Sequence, residues 1–129
     1  YIENVVAKYE REFDMSFKVY RNPMDHQYHP EEDTTILLDA KQSSTYRGLI
    51  GSANWVVSLG RFDIAYAVNT LARYSMAPRQ GHFEAAIRLF GYLKGRPDGK
   101  LYINKQPSLQ PDVSFLDYYW NEFYPDAEE

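Results

Sequence analysis

The sequence GRFDIAYAVNTLARY, residues 60–74, decides the fold class of this chain. Its apolar residues recur at intervals of three and four, as in an amphipathic helix: Ile64, Ala67, Val68 and Leu71. Gly60 suits the positive-φ position that ends a preceding helix. Asp63 lies in the first turn, where the helix dipole favours an anion. The stretch therefore predicts a helix that directly follows another one.

Three other segments show the same periodicity, and they are residues 2–13, 46–59 and 82–94. Ser43, Ser44 and Thr45 are each acceptable N-caps for the helix over 46–59. Gly48 and Gly51 lie within that helix, where each glycine lowers helix propensity by roughly 1 kcal/mol. We interpret them as points where another backbone approaches closely. Gly95 is expected to close the helix over 82–94, and Pro78 to mark the end of the helix before it.

The segments between the helices are predicted to be loops or short strands. Residues 20–45 contain two prolines and are interpreted as a long loop, and residues 17–19 and 101–103 as short extended pieces. Residues 106–129 read as an acidic, aromatic linker toward a missing downstream domain. The predicted fold is mainly α: a small bundle of three to four helices over residues 1–105, with one or two short peripheral strands.

Composition excludes several classes of protein. The chain has 129 residues, enough for one domain with a hydrophobic core, and 44% of them are hydrophobic. It contains no cysteine, which rules out disulfides and thiolate metal sites and favours a reducing compartment, cytoplasmic or nuclear. No apolar run approaches 18 residues, so we expect no membrane partner. Because the chain begins at Tyr1 within an apparent helix, we interpret it as a fragment of a longer polypeptide.

The net charge of −4 conceals an uneven distribution. Residues 41–105 carry ten Lys or Arg residues against three acidic ones, a balance of +7, and the rest of the chain carries −11. The middle segment is therefore a candidate surface for a polyanion. We expect its cations to gather on one outward side of the helical bundle.

The order of the segments resembles a known family. The residues that carry the resemblance are YRGLIGSANWVVSLGRFDIAYAVNTLARY (46–74), HFEAAIRLFGYLKG (82–95), GKLYI (99–103), YIENVVAKYEREFDM (1–15) and NPMD (22–25). Together they resemble the C-terminal part of the reverse transcriptase of copia-type LTR retrotransposons, over roughly residues 1–103. The chain departs from the family at Phe62, where a proline is usual, and at residues 53–55, where leucine or methionine is usual.

The resemblance implies a thumb or connection region lying between two catalytic domains and containing neither active site. The family's polymerase centre is a pair of adjacent aspartates, and no adjacent Asp-Asp pair occurs in this chain. Its ribonuclease H domain needs carboxylates spread over about a hundred residues, and 26 residues follow Ile103. The tail is interpreted as a solvated acidic linker. The alternative is a metal site formed by four of its acidic residues: Asp112, Asp117, Glu122 and Asp126. We therefore expect no enzyme activity and no cofactor in this chain.

The partners implied by the resemblance are an RNA–DNA or DNA duplex and the adjacent polymerase palm and ribonuclease H domains. A thumb grips a duplex through cations that contact phosphates. The candidate nucleic-acid-binding residues are Arg73, Arg79, His82, Arg88, Lys94 and Arg96. The alternative for the five cations is ordinary solvation, and the alternative for His82 is a capping or packing role. His26 and His29 are interpreted as an incidental pair, with a metal site as the alternative.

A second hypothesis belongs to another class of function. The acidic ends, the missing active sites and the aromatic residues of the tail are also typical of a structural or protein-interaction domain, including a remnant adapted by its host. Such a domain self-associates, as a homodimer for example, or binds a protein without binding nucleic acid.

Overall fold

The computed structural model describes residues 1–100, and these fold mainly into α-helices, as the sequence predicts. The four helices are α1 (Ile2–Glu12), α2 (Ala40–Ser58), α3 (Ala65–Ala72) and α4 (Gln80–Gly95). None of them is long and apolar enough to cross a membrane. Within residues 1–100 there is no β-strand, so the prediction of a strand at residues 17–19 is wrong. The predicted strand at residues 101–103 and the linker at 106–129 lie outside the described residues.

Helix α4 is central to the bundle and packs against α1, α2 and α3. Its apolar stripe meets α1 through an edge-to-face contact between Phe90 and Tyr9, with ring centroids 5.4 Å apart. The apolar positions that recur at helical spacing in α2 and α3 are nearly all buried: Leu49, Ile50, Ala53, Val56, Ala67, Val68 and Leu71. Tyr46 is completely buried, and its hydroxyl donates to the Leu71 carbonyl at 2.7 Å, which joins α2 to α3.

Helix α2 begins six residues earlier than the sequence predicts. Its N-cap is Asp39, whose carboxylate accepts the backbone N–H of Gln42 at 2.7 Å while the Gln42 side chain accepts the Asp39 N–H at 3.4 Å. This reciprocal pair is a capping box, which satisfies two backbone donors at once. The predicted caps at residues 43–45 are wrong because these residues already lie inside the helix.

The connection between α2 and α3 is tight. Gly60 has φ +107°, which confirms the predicted positive-φ position. The helix predicted from Gly60 onward instead starts with a 3₁₀ turn at Phe62–Ile64, and α3 follows at Ala65. Helix α3 also ends at Ala72, before the predicted end at Pro78. A bridge between Leu37 and Arg79 then ties the long loop to the start of α4.

The glycines of α2 do not mark the close backbone approach that their positions suggest. A Cβ on Gly48 would meet the Tyr9 hydroxyl at an ordinary 3.4 Å, and a Cβ on Gly51 would meet nothing within 4 Å. The close approach occurs at Gly91 of α4, where a Cβ would collide with the backbone carbonyl of Lys18. A glycine is therefore required where the chain after α1 crosses α4.

Candidate nucleic-acid interface

The cations of the middle segment differ in their position along the bundle and in their exposure. Arg73 and Arg79 lie at the end formed by the α3–α4 connection, whereas Lys94 and Arg96 lie at the opposite end of α4. A helix of 16 residues is about 24 Å long, so the two groups are far apart. Arg61 is buried and 5% exposed. The expectation that these cations all face outward is wrong for Arg61, which is buried beside Asp63, and Lys94 is paired with Glu10.

Lys94 joins α4 to the segment around α1. Its Nζ lies 2.5 Å from Glu10 Oε1, and it also donates to Ser16 Oγ at 2.9 Å and to the Phe17 carbonyl at 3.3 Å. The hydrogen bond from Lys94 lowers the pKa of the Glu10 carboxyl below its usual value, and the backbone N–H of Phe17 adds to the effect. The charge of Lys94 is thus largely neutralised by a neighbouring acid.

Arg88 is held by the loop that follows α1. Its guanidinium lies 4.3 Å from the centroid of the Tyr20 ring, and its Nη1 is 4.0 Å from Asp25 Oδ2. The side chain is 26% exposed. A cation–π contact together with an acidic neighbour fixes this arginine in a packing position.

His82 has a capping and packing position in the structure. The side chain is 2% exposed and stacks on Tyr74, with ring centroids 4.2 Å apart. Its Nδ1 accepts the backbone N–H of Arg79 at 3.0 Å, and its Nε2 lies 2.9 Å from the Pro30 carbonyl. The donor and acceptor positions of the ring are therefore both used within the protein.

Three arginines surround the connection between α3 and α4, and we name this set the α3–α4 corner: Arg47, Arg73 and Arg79. Arg47 and Arg73 are exposed, and Arg79 is half-buried. Arg47 Nη1 donates to the Ser75 carbonyl at 3.4 Å, and Arg79 Nη1 donates to the Thr35 carbonyl at 2.6 Å. Within residues 1–100 none of the three lies within 4.0 Å of a carboxylate. Sequence reasoning missed Arg47, because α2 contributes it from 26 residues before Arg73.

Arg96 is exposed at the other end of α4. Its guanidinium lies 5.9 Å from the centroid of the Tyr92 ring. Its backbone carbonyl accepts a hydrogen bond from Arg61 at 2.5 Å. Arg96 is therefore accessible but separate from the α3–α4 corner.

An ion pair joins the buried Arg61 to the partly exposed Asp63, an aspartate that the sequence assigns to the helix dipole. Both oxygens of Asp63 accept from Arg61, at 3.0 and 2.9 Å, and one also accepts from the Tyr92 hydroxyl at 2.6 Å. These bonds, first among them those from Arg61, lower the pKa of the Asp63 carboxyl. Burial raises the pKa of Tyr92, and the bond to Asp63 raises it further. We name these three residues the Arg61 network. In the sequence, only the Arg-x-Asp spacing of residues 61 and 63 indicates this network.

A cleft of about 540 Å³ lies between α3 and the loop at residues 23–31. The two histidines of this loop each face an acid, His26 with Asp25 at 3.8 Å and His29 with Glu31 at 3.4 Å. No group of three or more metal-binding side chains occurs among the residues that the structure describes. The tail acids lie outside those residues.

These features define a class of protein: a small helical module with a basic corner at one end and an ion-pair network around the buried Arg61 at the other. Half of the chain is similar to retrotransposon polyproteins. It is 38% identical over 64 residues to the retrovirus-related Pol polyprotein from transposon RE2 of Arabidopsis thaliana, and 36% identical over 64 residues to that from transposon RE1. The match covers 50% of this chain and 4% of each relative. No family model and no solved structure matches the chain.

Proposed function

We propose that the chain is a non-catalytic thumb or connection segment of a copia-type retrotransposon Pol polyprotein, and that it holds a primer–template duplex by phosphate contacts. The proposal is supported by the similarity to transposon Pol polyproteins over half of the chain. It rests on one observation of the structure, the three arginines of the α3–α4 corner.

The corner suits phosphate binding for an electrostatic reason. A cation that already faces a carboxylate gains little from a phosphate, as at Lys94, whereas an arginine bonded only to a carbonyl keeps its full charge. Arginine also presents several donors in a fixed fork that matches phosphate oxygens. The contacts are with the backbone and carry no sequence information. We therefore include Arg47 with the predicted residues Arg73 and Arg79, and leave out Lys94, Arg88 and His82.

The triple substitution Arg47→Gln, Arg73→Gln, Arg79→Gln should strongly weaken duplex binding. Each lost phosphate contact reduces the slope of log affinity against log salt by about 0.9, so the slope should fall by about 3. Fluorescence anisotropy with a labelled RNA–DNA or DNA duplex over a salt series measures both the affinity and the slope.

The matched control removes three exposed cations elsewhere, by Lys8→Gln, Lys18→Gln and Arg21→Gln. It changes the net charge by the same amount, and it should leave most of the binding and of the salt slope intact. Equal losses in the two triple variants would contradict the corner as the site. A wild-type chain that forms a concentration-dependent dimer and binds no duplex at low salt would support the interaction-domain hypothesis instead.

A further inference from the structure

The loop before α2 is bonded across the start of α4, and we name residues 30–38 of this loop the strap. The backbone N–H of Gln80 donates to the Ile36 carbonyl at 2.9 Å, and the N–H of Leu38 donates to the Pro78 carbonyl at 3.0 Å. These bonds satisfy backbone donors that the first turn of a helix cannot satisfy by itself. The strap therefore forms part of the N-terminal cap of α4.

The strap also packs closely on the first turn of α4. The N–H of Gly81 donates to the hydroxyl oxygen of Thr35 at 2.9 Å, and Arg79 Nη1 donates to the Thr35 carbonyl at 2.6 Å. A Cβ on Gly81 would collide with the carboxylate of Asp33. Side chains and backbone of the strap are thus in direct contact with the helix.

His82 connects the strap to α4 from the inside, where it is 2% exposed. Its Nδ1 lies 3.0 Å from the backbone nitrogen of Arg79, and its Nε2 lies 2.9 Å from the Pro30 carbonyl. A backbone N–H can only donate and a carbonyl can only accept, so these partners assign the neutral tautomer with its proton on Nε2. Stacking on Tyr74 holds the ring in this orientation.

A second proton on His82 is incompatible with this arrangement. It would bind Nδ1 and turn the acceptor of the Arg79 N–H into a donor, so that two N–H groups would face each other at the N-cap of α4. The proton would also place a positive charge on a buried side chain, close to the Arg79 cation. Opening of the strap uncovers the Nε2 edge of the ring, where water can then solvate the imidazolium.

The other titratable groups around the ring keep their charge between about pH 5 and 8, the range in which histidine titrates. They come from each element packed on His82: Asp33 and Tyr28 from the loop, Tyr74 from the end of α3, Arg79 from the start of α4, and Tyr46 of α2, which interacts with Tyr74. A tyrosine hydroxyl titrates near pH 10, and burial raises the pKa of Tyr28 and of Tyr46 further.

Asp33 is the acid of this group, and it remains ionised. Burial raises the pKa of its carboxyl, but hydrogen bonds from Thr35 and Tyr28 outweigh burial and hold the pKa below its usual value. The negative charge attracts an imidazolium. The carboxylate oxygens accept from Thr35 and Tyr28, however, while both ring nitrogens of His82 face other atoms. Asp33 therefore does not replace the bond that protonation removes.

We propose that His82 is a pH-sensitive switch, and that protonation of its ring releases the strap from the start of α4. The closed strap binds one proton fewer than the open strap, so its closure weakens as the pH falls. This inference goes beyond the proposed function, and its test needs no nucleic acid. At the α3–α4 corner, opening removes the Thr35 carbonyl from Arg79.

Amide hydrogen exchange followed by NMR tests the switch in the wild-type chain. Its readout is the protection factor, the ratio of intrinsic to observed exchange rate, in which the intrinsic effect of pH cancels. The protection of the Gln80 and Leu38 amides should fall about tenfold or more between about pH 7.5 and 5.5. The protection of Val56, in the middle of α2, should not change, and the fall should follow the titration of the His82 ring nitrogens.

Two variants assign the effect to one histidine among the three of the chain. In His82→Gln the side-chain oxygen can accept the Arg79 N–H, as a glutamine does in a capping box, and it does not titrate. The protection of Gln80 and Leu38 should then be independent of pH. The matched control is His26→Gln with His29→Gln, which removes two exposed histidines and should keep the full pH dependence. Circular dichroism confirms that each variant is folded.

Three results would overturn the proposal. The first is a protection of Gln80 and Leu38 that stays constant in the wild type from about pH 7.5 to 5.5. The second is a pH dependence that persists in His82→Gln. The third is an equal loss of protection at Val56, because the whole bundle would then unfold and the strap would not open by itself. The wild-type series and the double-histidine variant test the proposal without relying on His82→Gln.

Discussion

Asp63→Asn is expected to lower the free energy of unfolding by about 2–3 kcal/mol at pH 7, because it leaves the buried guanidinium of Arg61 without its counter-charge. Arg61 is 5% exposed, so water cannot replace the lost carboxylate. The Asp63 side chain is 39% exposed, and this partial solvation places the cost below that of a fully buried pair. Urea unfolding followed by circular dichroism gives the difference.

The pH dependence of this loss has a defined sign. The pKa of Asp63 is lower in the folded protein than in the unfolded chain, first because of the bonds from Arg61. The ionised carboxylate therefore contributes stability above the unfolded pKa, about 3.9, and this contribution disappears as the pH falls through the folded pKa. The difference between wild type and Asp63→Asn should be constant between pH 6 and 7 and should shrink below about pH 4.

Two further variants show whether charge or packing causes the loss. Tyr92→Phe removes one hydrogen bond to Asp63 and keeps the ion pair, so it should cost only about 1 kcal/mol. The double variant Arg61→Met, Asp63→Leu replaces both charges by apolar groups and should recover part of the stability lost in Asp63→Asn. If the double variant is less stable than Asp63→Asn, the loss arises from packing and the electrostatic explanation is wrong.

The helices could be predicted from the sequence wherever apolar periodicity marks them. Helices α1 and α4 agree with the predictions to within two residues at each end, because apolar residues occur throughout them. The first turns of α2 contain AKQSST, residues 40–45, which has no large apolar residue to extend the pattern. The local signal for this start is the capping box of Asp39, since an Asp followed three residues later by a Gln is a helix-start signature.

The candidate site could be predicted only in part, because the pairing of charges depends on tertiary structure. Arg73 directly follows α3 and Arg79 directly precedes α4, so the ends of these two helices determine their positions. The acid that neutralises Lys94 is Glu10, 84 residues away in the chain. Arg88 is held by Tyr20 and Asp25 from a loop without periodicity. No pattern within a single helix reveals such partners, so accessible and neutralised cations look alike in the sequence.

Gly91→Ala is expected to lower the free energy of unfolding by about 2 kcal/mol, although alanine is the better helix former. A Cβ at this position would collide with the Lys18 carbonyl, which is backbone, and would come within 2.9 Å of the Tyr20 ring. Relief requires the segment after α1 to move away from α4. Overpacking of this kind costs about 1–3 kcal/mol or more, which outweighs the roughly 1 kcal/mol gained in helix propensity.

Gly51→Ala is the matched control, because it makes the same chemical change within a helix at a position where a Cβ meets nothing within 4 Å. It should raise the free energy of unfolding by about 1 kcal/mol through helix propensity alone. Urea unfolding of the two variants should therefore differ by about 3 kcal/mol. If both alanines stabilise the protein, the chain after α1 does not cross α4 at Gly91. The contacts that Lys94 and Arg88 make with this chain would then lose their support, since it also carries Ser16, Phe17 and Tyr20.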